Sequence, residues 1–220
     1  MVTRQVKRKS EKTKNDMMRQ MSRVCLQNAV QCRFVLMDSW FSSEENFDFI
    51  TGRGKHFIAA LKHNRLVAWS QEDWKKKHFV RVDELEFSGE GTVQGWLKGS
   101  ARAVRLVRQV FKNQDSSTGK LHLVCSDLTC DYDAITTTYK KRWQVEVFHK
   151  SLKSNANLAK SPTRTLRTQS NHVFMAIYAT FKLEALSVAN KLNPFALCRK
   201  LLINASRSAY AQLQMLRAAA

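Results

Sequence analysis

The order in which strand-like and helix-like patterns follow one another limits the fold of this chain more than any other feature. Short apolar or alternating segments occur between residues 34 and 125, whereas the residues after Asp131 have apolar side chains at helical spacing. The predicted strands are 34–37, 57–61, 79–87, 92–97, 104–111 and 121–125. Because strand-like segments are followed by a helical region, we predict a β-rich module with helices at its C-terminal end.

The predicted helices flank these strands. Residues 1–31 form a basic arm that leads into a helix over residues 16–30. Ser43 is a suitable N-cap for a helix through Ile50, because an N-cap hydroxyl accepts a backbone hydrogen bond. Further helices are predicted from Asp131 or Asp133 to about Lys153, over 173–189 and over 195–216.

The charge balance points to a polyanionic partner. The chain has 37 Lys and Arg residues against 18 Asp and Glu residues, a net charge of +19. DNA, RNA or an anionic membrane surface would satisfy such a charge. The best apolar run, around residues 173–186, is interrupted by Thr180, Lys182 and Glu184, which argues against a membrane span. The five cysteines include no CxxC pair and indicate reduced thiols in a cytosolic protein.

Asp38 is the first candidate for a functional side chain. It directly follows the apolar run 34–37, and open α/β sheets place functional groups at the carboxyl ends of their strands. Trp40 stands two residues further on, and we expect it to pack in the core rather than to stack on a base. Trp143, further along the chain, is likewise expected to pack.

The predicted helix after Asp131 provides the second candidate. At 100° per residue its polar residues fall within an arc of about 80°; they are Tyr139, Arg142, Glu146, His149 and Lys153. Val145, Phe148 and Leu152 lie opposite and are expected to dock on a core. Glu146 is the only acidic residue in the stretch 139–168. A solvated charged face remains the alternative to a site, although such faces usually mix both charges.

Asp38 and Glu146 together form a candidate site for a hard cation. Mg²⁺ binds one or two protein carboxylates together with waters and phosphate oxygens, and Mn²⁺ can replace it. Arg142 and Lys153 would then hold phosphates, Arg142 through paired hydrogen bonds. Tyr139 could stack on a base or bond a phosphate.

The spacing Tyr139-x2-Arg142-x3-Glu146-x6-Lys153 resembles the Tyr–Arg–Glu–Lys signature of bacterial insertion-sequence transposases with a DDE active site. The segment 38–42, Asp-Ser-Trp-Phe-Ser, is similar to the second catalytic aspartate segment of that family. The resemblance implies an α/β fold, with an RNase H-like (retroviral integrase-like) core that carries a β-rich insertion. It divides the chain into an N-terminal arm and helix (1–31) and a core in two parts (32–56 and 121–160). The insertion lies between them (57–120), and the C-terminal helices follow (161–220).

The resemblance also implies a function. Such enzymes cleave transposon ends and transfer the strands into target DNA with a divalent metal ion. Asp38 and Glu146 would be catalytic metal ligands, and the DNA contacts would come from Tyr139, Arg142, Lys150, Lys153 and Arg164. His149 receives no catalytic role. The implied partners are double-stranded DNA and a second copy of the chain in a homodimer on DNA, in the bacterial cytoplasm and associated with the nucleoid.

One departure from the family changes the expectation for activity. The family uses three carboxylates, of which the first lies on an upstream strand, and Asp16 is the only aspartate before Asp38. Asp16 lies in a basic, helix-like stretch, so we expect an N-terminally truncated core that lacks the first catalytic Asp and does not catalyse transposition alone. The alternative is a catalytically inactive DNA-binding remnant that could inhibit transposition. A basic RNA-binding protein would not account for Glu146.

Overall fold

The computed structural model describes residues 12–87, 91–112, 115–162 and 164–218. The predicted basic arm lies largely outside them, because its first described residue is Lys12. The chain divides into two compact units, Met1–Arg142 and Trp143–Ala220. We describe each unit by itself.

The first unit is built on one mixed β-sheet. Its strands are β1 Phe34–Met37, β2 His56–Leu61, β3 Leu66–Ala68, β4 Val80–Arg81, β5 Thr92–Leu97, β6 Ala103–Lys112 and β7 Thr118–Cys125. Its helices are α1 Lys14–Gln27, α2 Glu44–Thr51, α3 Gln71–Lys75 and α4 Tyr132–Lys140. The prediction of an α/β fold is confirmed for this unit.

The strand order across the sheet is β1-β2-β7-β6-β5-β3-β4. β1 is parallel to β2, with Val35 opposite Phe57, and every other neighbouring pair is antiparallel. Because β1 and β2 run in the same direction, their carboxyl ends meet at one edge of the sheet. The predicted insertion, 57–120, and the predicted core share this sheet, since β2 pairs directly with β7.

Alternation along β2 produces two cores, one on each face of the sheet. Phe57, Ala59 and Leu61 join one cluster, to which α2 contributes Phe47 and Ile50. The side chains between them point to the opposite face, because successive side chains of a strand alternate. There Ile58 and Ala60 pack with Ile135 and Tyr139 of α4. The sheet is therefore covered on both faces by helices.

The predicted strand 79–87 is wrong beyond Arg81. Residues Val82–Glu84 form a 3₁₀ turn, and the N–H of Arg81 donates to the Glu84 carboxylate at 3.3 Å. Val82 and Leu85, three residues apart, are both buried in the core, whereas Val80 is exposed. A three-residue spacing of buried side chains suits a 3₁₀ turn better than a pleated strand. The strand β3 and the short helix α3 were not predicted from the sequence.

The single helix predicted from Asp131 to about Lys153 is wrong as well. Its start is confirmed, because the Asp131 carboxylate accepts a hydrogen bond from the Ala134 N–H at 2.8 Å. The helix ends at Lys140, and the 3₁₀ turn Lys141–Trp143 separates it from the next helix. No Gly or Pro marks this break, but the β-branched run at 136–138 disfavours a helix just before it.

The second unit is helical in its described part. It contains α5 Gln144–Ser154, α6 Leu166–Asn190 and α7 Pro194–Ala218. The two long helices confirm the predicted ones and extend beyond them at both ends. By length and composition, α6 is the one helix among the described residues that could cross a membrane, a test that core helices of soluble proteins also pass.

A buried ion pair ties β1 to the segment after β7. Asp127 is 5% exposed, and its carboxylate accepts hydrogen bonds from Thr129 Oγ1 and Arg33 Nη2, both at 2.6 Å. His56 Nε2 lies 3.8 Å away. The Thr129 hydrogen bonds, followed by those of Arg33, hold the pKa of Asp127 well below its usual value. The ionised carboxylate therefore stabilises the fold.

We predict that Asp127→Asn lowers the free energy of unfolding by about 1–3 kcal/mol, because it removes a charged acceptor from a buried network. The folded-state pKa is depressed, so the stabilisation is present above the ordinary pKa of 3.8 and is lost as the pH falls below it. Urea denaturation between pH 7 and pH 3 measures both effects. Asp48→Asn, at an exposed position of α2, is the matched control; an equal loss in both variants would contradict the prediction.

Candidate functional site

Asp38 is held in place by the turn that follows β1. The N–H of Trp40 donates to Asp38 Oδ1 at 2.9 Å, and the N–H of Phe41 donates to the Asp38 carbonyl at 3.2 Å. Ser43 then caps α2 by accepting from the Asn46 N–H at 3.3 Å, as predicted. The carboxylate of Asp38 is half-buried and oriented by the backbone at the carboxyl end of β1.

Asn46, in the first turn of α2, holds this loop through hydrogen bonds. Its side chain is fully buried, and Nδ2 donates to the Phe41 carbonyl at 2.8 Å and to Asn15 Oδ1 at 3.0 Å. Its Oδ1 accepts from Arg19 Nη1 at 2.9 Å. Ser42 Oγ donates to the Ala60 carbonyl of β2. The loop after Asp38 is therefore tied to α1, α2 and β2. Sequence reasoning missed Asn46, since a lone Asn in a helix carries no distinctive pattern.

Tyr139 and Arg142, two residues of the predicted signature, contact each other. Tyr139 of α4 packs in the core, and the guanidinium carbon of Arg142 lies 5.8 Å from the centre of its ring. Burial raises the pKa of Tyr139; Arg142 opposes this through its charge and a hydrogen bond, and the Asp38 carboxylate adds to the rise. Within the first unit, the Asp38 carboxylate thus acts on Tyr139, and Arg142 contacts the same ring, although Asp38 is about a hundred residues away in sequence.

The helical projection that placed five polar residues on one arc does not hold. The 3₁₀ turn after Lys140 interrupts the helix, so the angles of Tyr139 and Glu146 cannot be summed at 100° per residue. Tyr139 is 9% exposed and belongs to the core, which leaves little of its ring for base stacking. Val145 and Phe148, predicted to dock on a core, are exposed, while Leu152 is buried as expected.

The remaining predicted site residues lie in the second unit. Glu146 is in the first turn of α5, and Lys150 and Lys153 follow on the same helix. Lys150 Nζ lies 5.6 Å from the ring centre of Phe195 at the start of α7. Lys153 and Arg164 are exposed, as is His149. These cations are accessible to an anionic ligand.

Both tryptophans that were expected to pack are exposed. Trp40 and Trp143 are each 63% exposed. Trp40 stands on the turn that holds Asp38, where the tight backbone between β1 and α2 directs its side chain away from both cores. Trp143 ends the 3₁₀ turn before α5. Local hydrophobicity predicted burial for both, but the position of each residue in a turn determined its exposure.

Beside the Asp38 loop lies a groove that sequence reasoning did not identify. It is lined by Ser39, Trp40, Lys62, Asn64, Arg65 and Lys98. Lys62 directly follows β2, and β2 is parallel to the strand that ends before Asp38. The sequence did contain a signal for this groove. The predicted strand 57–61 is directly followed by the basic and polar residues 62–65, and parallel strands present such residues at the same edge of a sheet.

The donor set suits a hard cation in its chemistry. The carboxylate oxygens of Asp38 and Glu146 are ligands that Mg²⁺ prefers, and Asp38 keeps one oxygen oriented by a backbone N–H. Within the part of the chain that the structure describes, no group of three or more His, Cys, Asp or Glu residues lies close enough to hold a metal ion. Asp38 belongs to the first unit and Glu146 to the second, and each offers one carboxylate of the kind that Mg²⁺ binds.

We predict that Asn46→Ala loosens the Asp38 loop and lowers the free energy of unfolding by about 2 kcal/mol, because buried donors and acceptors lose their partners. Hydrogen exchange should increase over residues 38–43, with a smaller change over β6. Asn64→Ala, at an exposed position, is the control. Unchanged exchange over 38–43 would show that Asn46 does not support the loop.

Comparison with known proteins agrees with this arrangement. No curated protein matches the chain. The family described as "Transposase DDE domain" matches residues 1–181, which include the whole first unit together with α5 and the first part of α6. The predicted resemblance to insertion-sequence transposases is thereby confirmed. The acid after β1, the neighbouring Tyr139 and Arg142 and the family match lead to one conclusion: the chain belongs to the DDE transposases.

Proposed function

We propose that this chain binds transposon-end DNA and carries two of the acidic residues of a DDE active site, Asp38 and Glu146. The observation that supports this most is the family match over residues 1–181, which covers both sequence segments; in addition, the Asp38 carboxylate acts on the pKa of Tyr139, whose ring Arg142 contacts. A carboxylate next to a guanidinium can serve a phosphodiester, because the guanidinium binds the phosphate while the carboxylate binds a cation.

In this proposal the mixed sheet of the first unit, with helices on both faces, is an RNase H-like core. Residues 57–120 are its β-rich insertion, and 161–220 are the C-terminal helices. Asp38 and Glu146 would hold Mg²⁺ or Mn²⁺, which when bound activates water and stabilises the leaving oxygen in phosphodiester cleavage. Arg142, Lys150, Lys153 and Arg164 would bind DNA phosphates, and Tyr139 would position Arg142 through its ring.

The proposed setting follows from the same chemistry. A chain with a net charge of +19 binds a polyanion, and transposases act on DNA in the cytoplasm, here in association with the bacterial nucleoid. A homodimer on DNA would cover part of the apolar surface of the second unit, where Phe174, Phe181, Leu202 and Met215 are exposed.

A second candidate function is DNA binding without catalysis. Asp16, the aspartate that precedes Asp38 in sequence, lies on α1 and not on a strand. Its carboxylate forms a capping box with Thr13 and an ion pair with Arg19 at 2.6 Å. Hydrogen bonds from Thr13 and Arg19 lower its pKa to about 2. Asp16 thus serves the helix and supports the expectation that it is not the first catalytic aspartate. A remnant of this kind could inhibit transposition by occupying transposon ends.

We predict that Arg142→Ala and Lys153→Ala each weaken binding to a duplex carrying the transposon end by about fivefold. Each should reduce the slope of log K against log[salt] by about 1, because one phosphate contact is lost. Fluorescence anisotropy between 50 and 200 mM NaCl measures both quantities. Lys76→Ala, on an exposed turn, is the matched control. Absence of salt-dependent DNA binding by the unmodified chain would overturn the proposed function.

A test for catalysis distinguishes the two candidate functions. We expect the chain alone to bind the duplex with Mg²⁺ or Mn²⁺ present but not to nick it, because its described acids supply two carboxylates where the family uses three. Denaturing gels of end-labelled duplex report nicking. Metal-dependent nicking that disappears in Asp38→Ala but persists in Asp48→Ala would show an active enzyme and reject the remnant.

A further inference from the structure

We propose that the groove beside the Asp38 loop binds an unpaired stretch of DNA, with Trp40 as the surface on which a base stacks. The proposal rests on the proposed DNA-binding function and assigns it a subsite. Trp40 is 63% exposed, although its neighbours Ser39, Phe41 and Ser42 are only partly accessible. An exposed indole keeps a large apolar surface in water, so that covering it with a base would be favourable.

Hydrogen bonds hold the backbone that carries this ring. The Trp40 N–H is bound to Asp38 Oδ1, and the next residues are tied down through the Phe41 carbonyl and Ser42 Oγ. A platform fixed in this way loses little conformational entropy when it binds a ligand. Since Trp40 is two residues from Asp38, a base stacked on it would lie next to the proposed catalytic carboxylate.

The groove itself provides the charge for a phosphate backbone. Two adjoining depressions of about 360 and 600 Å³ share Ser39, Leu61, Lys62 and Asn64. Their basic lining residues are Lys62, Arg65, Lys98 and Lys120, and Asp83 is the acidic one. Lys14 adds a further cation, with Nζ 5.1 Å from the Trp40 ring centre.

Arg65 supports the same interpretation. It is half-buried, and its Nε is buried without a hydrogen-bond partner within the described part of the chain. Burial lowers the pKa of Arg65, an effect that Glu44 opposes. Burial removes water from this guanidinium, which costs hydration free energy. A phosphate oxygen bound at its accessible end would compensate for that loss.

The combination of an exposed aromatic ring with interleaved cations indicates an unpaired strand rather than a duplex. Bases inside a duplex are already stacked on their neighbours, and a base must be flipped out, at a cost in free energy, before it can stack on an external ring. An unpaired base has a free face, and its stacking on an aromatic side chain is largely independent of sequence. Strand ends and locally opened DNA are such substrates.

The test compares single-stranded and duplex DNA on the same variants of the full chain. A fluorescein-labelled 12-nucleotide dT strand and a 20-base-pair duplex are titrated by anisotropy at 100 mM NaCl. Trp40→Ala should weaken binding of the single strand about tenfold and binding of the duplex less than twofold. Trp40→Phe should restore most of the lost affinity. Trp69→Ala, at another exposed tryptophan outside this groove, should change neither.

A second, independent variant tests the charged part of the groove. Lys62→Ala should reduce the salt slope for the single strand by about 0.7, the value for one phosphate contact on a single strand. The proposal is overturned if Trp40→Ala and Trp69→Ala bind the single strand equally, or if Trp40→Ala weakens duplex binding as much. If the unmodified chain still binds the duplex, neither result contradicts the proposed function. Failure of the unmodified chain to bind any DNA overturns both.

Discussion

The parallel pairing of β1 with β2 is the contact on which the rest of the first unit depends. β2 is buried along almost its whole length between β1 and β7 and contributes side chains to the cores on both faces of the sheet. Because β1 runs parallel to it, the chain after each strand emerges at the same edge. Asp38 and Lys62 therefore become neighbours in space, and the acidic site and the basic groove are consequences of one register.

The loop after β1 shows how a hydrogen-bond network can hold a carboxylate, here the proposed metal ligand Asp38, without burying it. Asp38 accepts from the backbone at Trp40, while buried Asn46 and Arg19 support the loop from the side of the core. Fixed donors around an acid preserve its orientation when a substrate arrives, so little reorganisation is needed on binding. The same network exposes Trp40, which places an aromatic ring beside the acid.

The fold determines where on the surface the positive charge of the chain is concentrated. Composition alone establishes a large positive charge, but any solvated surface could carry it. In the first unit, the groove concentrates Lys62, Arg65 and Lys98 next to the Asp38 loop, and Arg142 contacts the ring of Tyr139. Acids elsewhere, such as Asp16 and Asp127, are neutralised by local arginines and stabilise the fold. Asp38, the acid proposed for the site, thus differs in its surroundings from the acids that stabilise the fold.

Local patterns in the sequence determined the strands around Asp38, the caps at Ser43 and Asp131, the two long C-terminal helices and the family. These features depend on side chains close together in the chain, where alternation, capping and motif spacing act directly. Tertiary structure alone decided the 3₁₀ break before α5, the turn at 82–84, the burial of Tyr139 and the exposure of Trp40. Each of these depends on which core a side chain can reach once the sheet has formed. The groove at Lys62 arose in the same way, because a parallel register joins residues that no local pattern connects.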